Sequence, residues 1–459
     1  MINKSKIELI LKAGVSTGAD FAELFLESSV SQSIRGMSGE VEQASTNESF
    51  GAGIRLISDI DEVYGFTNDM SFESLHKLAT DLAASFKGKP GVVLPFNEER
   101  PYSINVKRRM GDVSNDERKE LVQRVSKRIK EYDPKIVQGV MNIFESEQTV
   151  VIANNRGVYQ TDFRPYIRFA LTAVAKDENG MQDSYTAPGA RAGFEFMANH
   201  NFDELADDVS QTAIRILGAE VIKPQIMTVV LNNGFGGVIF HEACGHPLEA
   251  SSVSKGLSPF ANKLGEIVAS EVVTAYDDGT IDGAWGGMNS DDEGNAPQKN
   301  LLIENGILKG YLIDYRNGKR MKMEPNGSSR RESYKYSPTS RMNSTYIAAG
   351  ESKFEDLIAN TEYGLFAKQL GGGSVNPATG EFNFAVMEGY YIRNGKIAEP
   401  VKGAMLIGHG GEVLKHVDMV ADNLELAQGM CGAGSGSIPV DVGQPAIRVQ
   451  NMTVGGGGQ

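Results

Sequence analysis

The sequence predicts an α+β fold in two parts, an N-terminal α/β domain over residues 1–222 and a strand-rich domain over 223–459. Three observations carry this. Helical and strand-like patterns alternate through residues 1–220. The pair Lys223-Pro224 then follows the last helical pattern and precedes an apolar run of strand character. Beyond it the chain is rich in glycine, with apolar runs broken by Asn-Gly pairs.

The elements read in order. Met1 to Val15 is a short amphipathic helix. Lys4, Lys6 and Lys12 interrupt its apolar residues, so no signal-peptide core forms. Leu75, Leu78, Leu82 and Phe86 recur on one stripe of a helix over Phe72–Phe86. Asp116–Tyr132 is a charged helix, and Gly51–Ile57 and Phe169–Val174 are strand-like. Leu205, Val209, Ala213 and Leu217 line a helix over Phe202–Leu217. The boundary falls at Val221–Gln225, and Ile226–Leu231 has the pattern of a buried strand. Leu301–Ile313 folds as a hairpin around Asn305-Gly306, and Tyr390–Ile397 as another around Asn394-Gly395. Asn-Gly suits a turn in which both residues need positive φ. Gly371–Gly373 and the tail Gly455–Gly458 read as flexible.

Composition sets bounds. A chain of 459 residues is long enough for two or three domains and a core that needs no staples. Its two cysteines, Cys244 and Cys431, are too few for a disulfide framework and suit a reducing, cytoplasmic setting. No apolar run approaches the roughly 20 residues that a membrane span requires. A formal net charge of −14 repels phosphates and speaks against a nucleic-acid partner.

One segment carries chemistry, Gly236 to Ala250. It sets His241-Glu242 on an apolar helix and a second histidine, His246, five residues after the first. Zinc peptidases commonly space two histidine ligands by four residues. At about 100° per residue, a four-residue step returns the rings to within about 40°, whereas five residues separate them by about 140°. A regular helix cannot aim both at one ion. Either a π-type turn restores them to one side, or the helix ends at Gly245 and His246 folds back ahead of Pro247. If both bind a metal, a catalytic zinc needs a third protein ligand and an open position for water, whose pKa it lowers to about 7. Glu242 then stands where a general base stands, beside a ligand but not bound. From spacing alone, two packed core histidines remain the other reading.

The run His241-Glu242-Ala243-Cys244-Gly245-His246 resembles the HExxxH motif of the TldD/PmbA family of metallopeptidases. So do Asp291-Asp292-Glu293-Gly294 with Pro297, Gly371–Phe382, Val401–Gly408, Met430-Cys431-Gly432, Ser437–Pro445 and Met452–Gly456. The resemblance spans nearly all of the second half and is diffuse in the first. It implies that Cys431 is the third ligand and that this is the metal-bearing type of subunit; zinc is the default metal, with iron or another divalent ion left open because ligand type alone does not settle selectivity. It also implies a dimer enclosing a chamber, either a homodimer or a heterodimer with a metal-less paralogue. Cys244 is read as a small packed residue.

The resemblance further implies a peptide or unfolded protein as substrate, held as an added strand. It points to Tyr336–Met342 as the strand beside the metal, with Ser337, Pro338, Thr339, Ser340 and Arg341 as contacts. Pro338 suits an edge position. Arg341, Tyr346 and His409 are candidates for steadying an oxyanion. Asp291, Asp292 and Glu293 read as turn residues in a solvated loop rather than as a second cation site. Two other functions fit the residues: a metal-dependent amidase on non-peptide substrates, and a scaffold or regulatory subunit with a structural metal. Glu242 argues against the last, because a structural site needs no base.

Overall fold

The computed structural model describes residues 2–101, 104–178, 180–375 and 380–456. Met1, residues 376–379 of the glycine-rich segment, and Gly457 and Gly458 of the tail lie outside them. The fold is mixed α and β, with strands dominating the second half.

The first half is built on six main strands: β1 (Phe21–Met37), β2 (Glu40–Ser58), β3 (Asp61–Thr67), β4 (Ile136–Asn154), β5 (Tyr159–Asp177) and β6 (Gly180–Thr186). Their spatial order is β3-β2-β1-β4-β5-β6, antiparallel throughout. Burial along β5 alternates for most of its length, as a sheet with one covered face demands. Helices α1 (Lys4–Gly14) and α2 (Phe72–Ala83) bury Ile7, Ile10, Leu75 and Ala79 against Leu24, Ile54 and Leu56. Helices α3 (Asn115–Glu131) and α4 (Phe202–Leu217) bury Val122, Val125, Ile129, Val209 and Ala213 against Ile143, Phe169 and Leu171. The α4 start is fixed by Asn201, whose side chain accepts from the N–H groups of Asp203 and Glu204.

The second half stacks two sheets. One runs 363–375, 225–231, 447–456, 404–409, 381–393, 396–402 and 220–221, with 417–420 paired to 447–456. The other runs 307–308, 299–304, 275–278, 344–347, 436–444 and 425–433. Both Asn-Gly turns form as the sequence requires, with φ of 47° and 78° at Asn305 and Gly306 and of 50° and 70° at Asn394 and Gly395. The first hairpin's return arm is shorter than its apolar run suggests. Only Ile307–Leu308 pairs, and Leu312 turns away to bridge Glu249. Gly371–Gly373 is not a flexible link; it lies within the strand Tyr363–Val375.

Asp291, Asp292 and Glu293 correct the expectation of a solvated turn. All three are buried, at 0%, 2% and 3% exposure. Arginines of the first half meet Asp292 and Glu293, whereas Asp291 accepts from the N–H groups of Glu293, Asn295 and Ser329. Arg55 of β2 contacts Glu293 at 2.5 Å and Glu62 at 2.7 Å. Arg164 of β5 contacts Asp292 at 2.7 Å. In the opposite direction Arg331 pairs with Glu23 of β1, and the Tyr334 N–H donates to Glu27 at 2.6 Å. The two halves are joined by buried charge together with ring contacts, Phe21 stacked on Tyr315 at 4.3 Å and Tyr166 edge-on to Trp285 at 5.2 Å.

Candidate metal centre

The apolar run Val238–Phe240 forms a single α-turn that is packed between the two sheets of the second half. At His241–Gly245 the chain widens into a π turn, in which the His246 N–H donates to the His241 carbonyl five residues back. Of the two geometries open to the sequence, this is the first. The residues His246–Leu248 then tighten into a 3₁₀ turn, with Pro247 where no amide donor is needed. Gly245 lets Met342 pack close to the turn, since a Cβ there would sit 2.1 Å from Met342 Sδ and displace that side chain.

The widened turn brings both imidazoles to one side, with ring centroids 5.1 Å apart and planes at 83°. Cys431 reaches them from the strand Glu425–Ala433. Its Sγ is 3.4 Å from His241 Nε2 and 3.3 Å from His246 Nε2. The three candidate ligand groups lie within 4.8 Å of one another. Tetrahedral zinc with bonds of roughly 2.0–2.3 Å separates its ligands by about 3.3–3.7 Å. The donor set therefore fits such an ion. Burial pushes the Cys431 thiol up, but hydrogen bonds from His241 and His246 outweigh it and hold it at about 4, so sulfur is a thiolate.

Two supports were not legible as such in the sequence. His246 Nδ1 lies 3.1 Å from Glu249 Oε1, which fixes the ring and leaves Nε2 for the cluster. Arg341 is fully buried and donates to the Cys431 and Gly436 carbonyls and to Ser435 Oγ. Its donors clamp the strand that carries Cys431 rather than facing a substrate. Glu249 follows His246 by three residues, a spacing that could have signalled its role.

Glu242 projects into a cleft of ≈ 470 Å³ shared with His246, Ser251, Ser374 and Gly432. Its Oε2 is 3.8 Å from His246 Nε2, beside the cluster without belonging to it. Cys244 points elsewhere. Burial raises its thiol well above the usual range, and its Sγ faces the Gly410 carbonyl at 3.6 Å.

The expected substrate strand is reduced to Thr339–Ser340, paired with Ser329–Arg330. Ser337 Oγ turns to Glu62, at 2.9 Å, and Pro338 precedes the short strand. Ser340 Oγ accepts from the Ser251 N–H at 2.9 Å and so braces the cleft wall. Tyr346 packs on Tyr276 with Lys299 nearby. His409 is exposed at the end of the strand Ala404–His409. Neither lines the cleft that Glu242 faces.

This chain belongs to the PmbA/TldA metallopeptidase family. The family's C-terminal domain matches residues 224–456, its central domain 108–217 and its first domain 22–85. Among relatives, the metalloprotease TldD homolog of Buchnera aphidicola (subsp. Acyrthosiphon pisum) is 33% identical, covering 99% of this chain and 96% of the relative. The homolog of Haemophilus influenzae is 33% identical over 95% of this chain and 93% of its own. Among solved structures, TldE from Thermococcus kodakarensis superposes with a TM-score of 0.74 at 20% identity, covering 98% of this chain and all (100%) of that one. A Thermotoga maritima protein described as a proposed modulator of a DNA gyrase gives 0.79 at 19%, covering 95% and 96%. At those identities the structures establish the shared fold.

Proposed function

We propose that this chain is a zinc-dependent peptidase acting on peptides or small unfolded proteins. The observation that carries the reading is the placement of Glu242 on an open cleft directly beside the His241, His246 and Cys431 cluster. The relatives' description as metalloproteases supports it. In this reading His241 Nε2, His246 Nε2 and Cys431 Sγ would hold the ion, and zinc bound there would supply Lewis acidity to the scissile carbonyl and acidity to a water. Glu242 takes the water's proton on a carboxylate oxygen and returns it to the leaving amine. Glu249 and Arg341 hold the ligands in register.

The substrate lies extended. The strand Glu425–Ala433 is the edge of its sheet and carries Cys431, which would put an added peptide strand beside the metal. Residues 223–459 form the catalytic domain. Residues 1–222 wall a chamber within a dimer, made either with a second copy or with a metal-less paralogue. The setting is cytoplasmic. Among the described residues no helix is long and apolar enough to cross a membrane.

The test compares Glu242→Gln with wild type and with Cys431→Ala. Glu242→Gln keeps its metal and loses peptide cleavage by about 10²–10⁴-fold. Cys431→Ala loses both. Undiminished cleavage by Glu242→Gln would remove the carboxylate from the reaction. Full metal content without any peptide cleavage in wild type would favour the structural-metal alternative.

A further inference from the structure

Away from the metal cluster, where β5 meets the second half, a recess is lined by Arg164, Tyr166, Arg191, Ser290, Asp292 and Arg330. It contains more positive charge than its neighbours neutralise. Asp292 is the single carboxylate in the lining, and both its oxygens are engaged. Oδ1 accepts from Arg164 Nη1 at 2.7 Å, and Oδ2 accepts from the Arg331 N–H at 2.6 Å. Arg164 is further paired with Asp162 at 2.8 Å. Arg330 donates to a neutral acceptor, the Met342 carbonyl, at 2.8 Å. Arg191 is 4% exposed, and its Nε and Nη2 are buried with no hydrogen-bond partner among the described residues.

An arginine cannot discharge itself by losing a proton. A buried guanidinium with idle donors is costly unless a negative acceptor meets it. Water could fill the donors but would leave the charge. Burial holds Arg330 below the usual arginine range, with Tyr166 and Asp292 opposing and the guanidinia of Arg341 and Arg164 adding to it. The recess has room, ≈ 10 Å³, for about one water-sized particle. Phosphate and carboxylate ligands are too large for that space. The chain's net charge of −14 repels anions, so attraction here arises from these arginines alone.

We propose that the recess is a binding site for a small monovalent anion of halide size, with chloride as the physiological occupant, held by Arg191 and Arg330. The site lies on a strut to the metal turn. Arg330 holds the Met342 carbonyl, and Met342 Sδ packs against Gly245. Occupancy stiffens that path.

Thermal midpoints in sodium chloride and in sodium gluconate at equal ionic strength test the site. The wild-type midpoint rises saturably with chloride, because a ligand that binds only the folded state stabilises it by mass action. Arg191→Met shows no such rise. Equal wild-type midpoints in the two salts, or an unchanged chloride response in Arg191→Met, overturn the proposal. Wild-type crystals grown in bromide provide a readout that does not depend on the variant folding. A bromine anomalous peak within hydrogen-bond reach of Arg191 Nε is expected, and an ordered water or nothing in its place overturns the assignment.

Discussion

Arg341 donates through its guanidinium to the carbonyl of Cys431, ninety residues further along the chain. The same fork reaches Ser435 Oγ and the Gly436 carbonyl, both at 2.9 Å, so one buried side chain fixes the whole turn after the ligand. Arg341→Lys keeps the charge but cannot span three acceptors. The expected result is metal affinity lower by about 10–100-fold, read by competition with a chelator, as is usual when a residue supporting a ligand is lost. If Arg341 instead steadied an oxyanion, kcat would fall with affinity untouched.

Glu249 presents the complementary case on the other ligand. Its carboxylate holds His246 Nδ1 at 3.1 Å. Glu249→Gln retains a hydrogen bond and removes the charge, whereas Glu249→Ala removes both. Metal affinity is expected to fall about 10–100-fold in Glu249→Ala and by less in Glu249→Gln. Equal affinities in all three proteins would show that the pairing does not orient the ring.

The π turn needs a glycine opposite it. A Cβ on Gly410 would lie 2.1 Å from the Ala243 carbonyl oxygen, a backbone atom that cannot swing aside. Gly410→Ala is expected to destabilise the protein by about 1–3 kcal/mol and to reduce metal content. Gly434→Ala, where a Cβ meets nothing within 4 Å, serves as the control and leaves the denaturation midpoint unchanged.

The charged seam makes stability depend on pH. Burial raises Glu293 from 4.5 to about 8, with Arg55 opposing and Asp314, Asp291 and Glu23 adding to the rise. The folded protein therefore binds this proton more tightly than the unfolded chain. Its contribution is fully present below about pH 4.5 and is lost as pH climbs through about 8, with a slope of up to ~1.4 kcal/mol per pH unit. Denaturant titrations from pH 5 to 9 should show a shallower decline for Glu293→Gln than for wild type. Parallel profiles would assign the pH dependence to other groups.

The parts legible in the sequence are those set by neighbouring residues. The helix Phe202–Leu217 and the strand beginning near Ile226 follow from periodicity, and both Asn-Gly turns follow from backbone preference. His241, Glu242 and His246 also lie within one short segment, which is why their spacing could be judged at all. What the sequence concealed depends on distant partners. Asp292 and Glu293 look like solvent-facing turn residues until Arg164 and Arg55 arrive from β5 and β2. Arg341 looks free to meet a substrate until the hairpin carrying Cys431 folds over it. No local pattern in a single sequence carries either pairing.

The buried charge between the halves also limits how such a protein can be rearranged. An apolar face tolerates a substitute partner of similar shape, because its attraction is non-directional. The Arg164–Asp292 and Arg331–Glu23 pairs do not, since each requires one sign at one position on the opposite side. A second half grafted onto a foreign first half would carry acids and bases into a dry contact without counterparts. Recombination between distant relatives in residues 218–223, between the matched central and C-terminal family domains, should yield misfolded chimeras even where each half is sound, and the two halves should change in concert rather than as interchangeable modules.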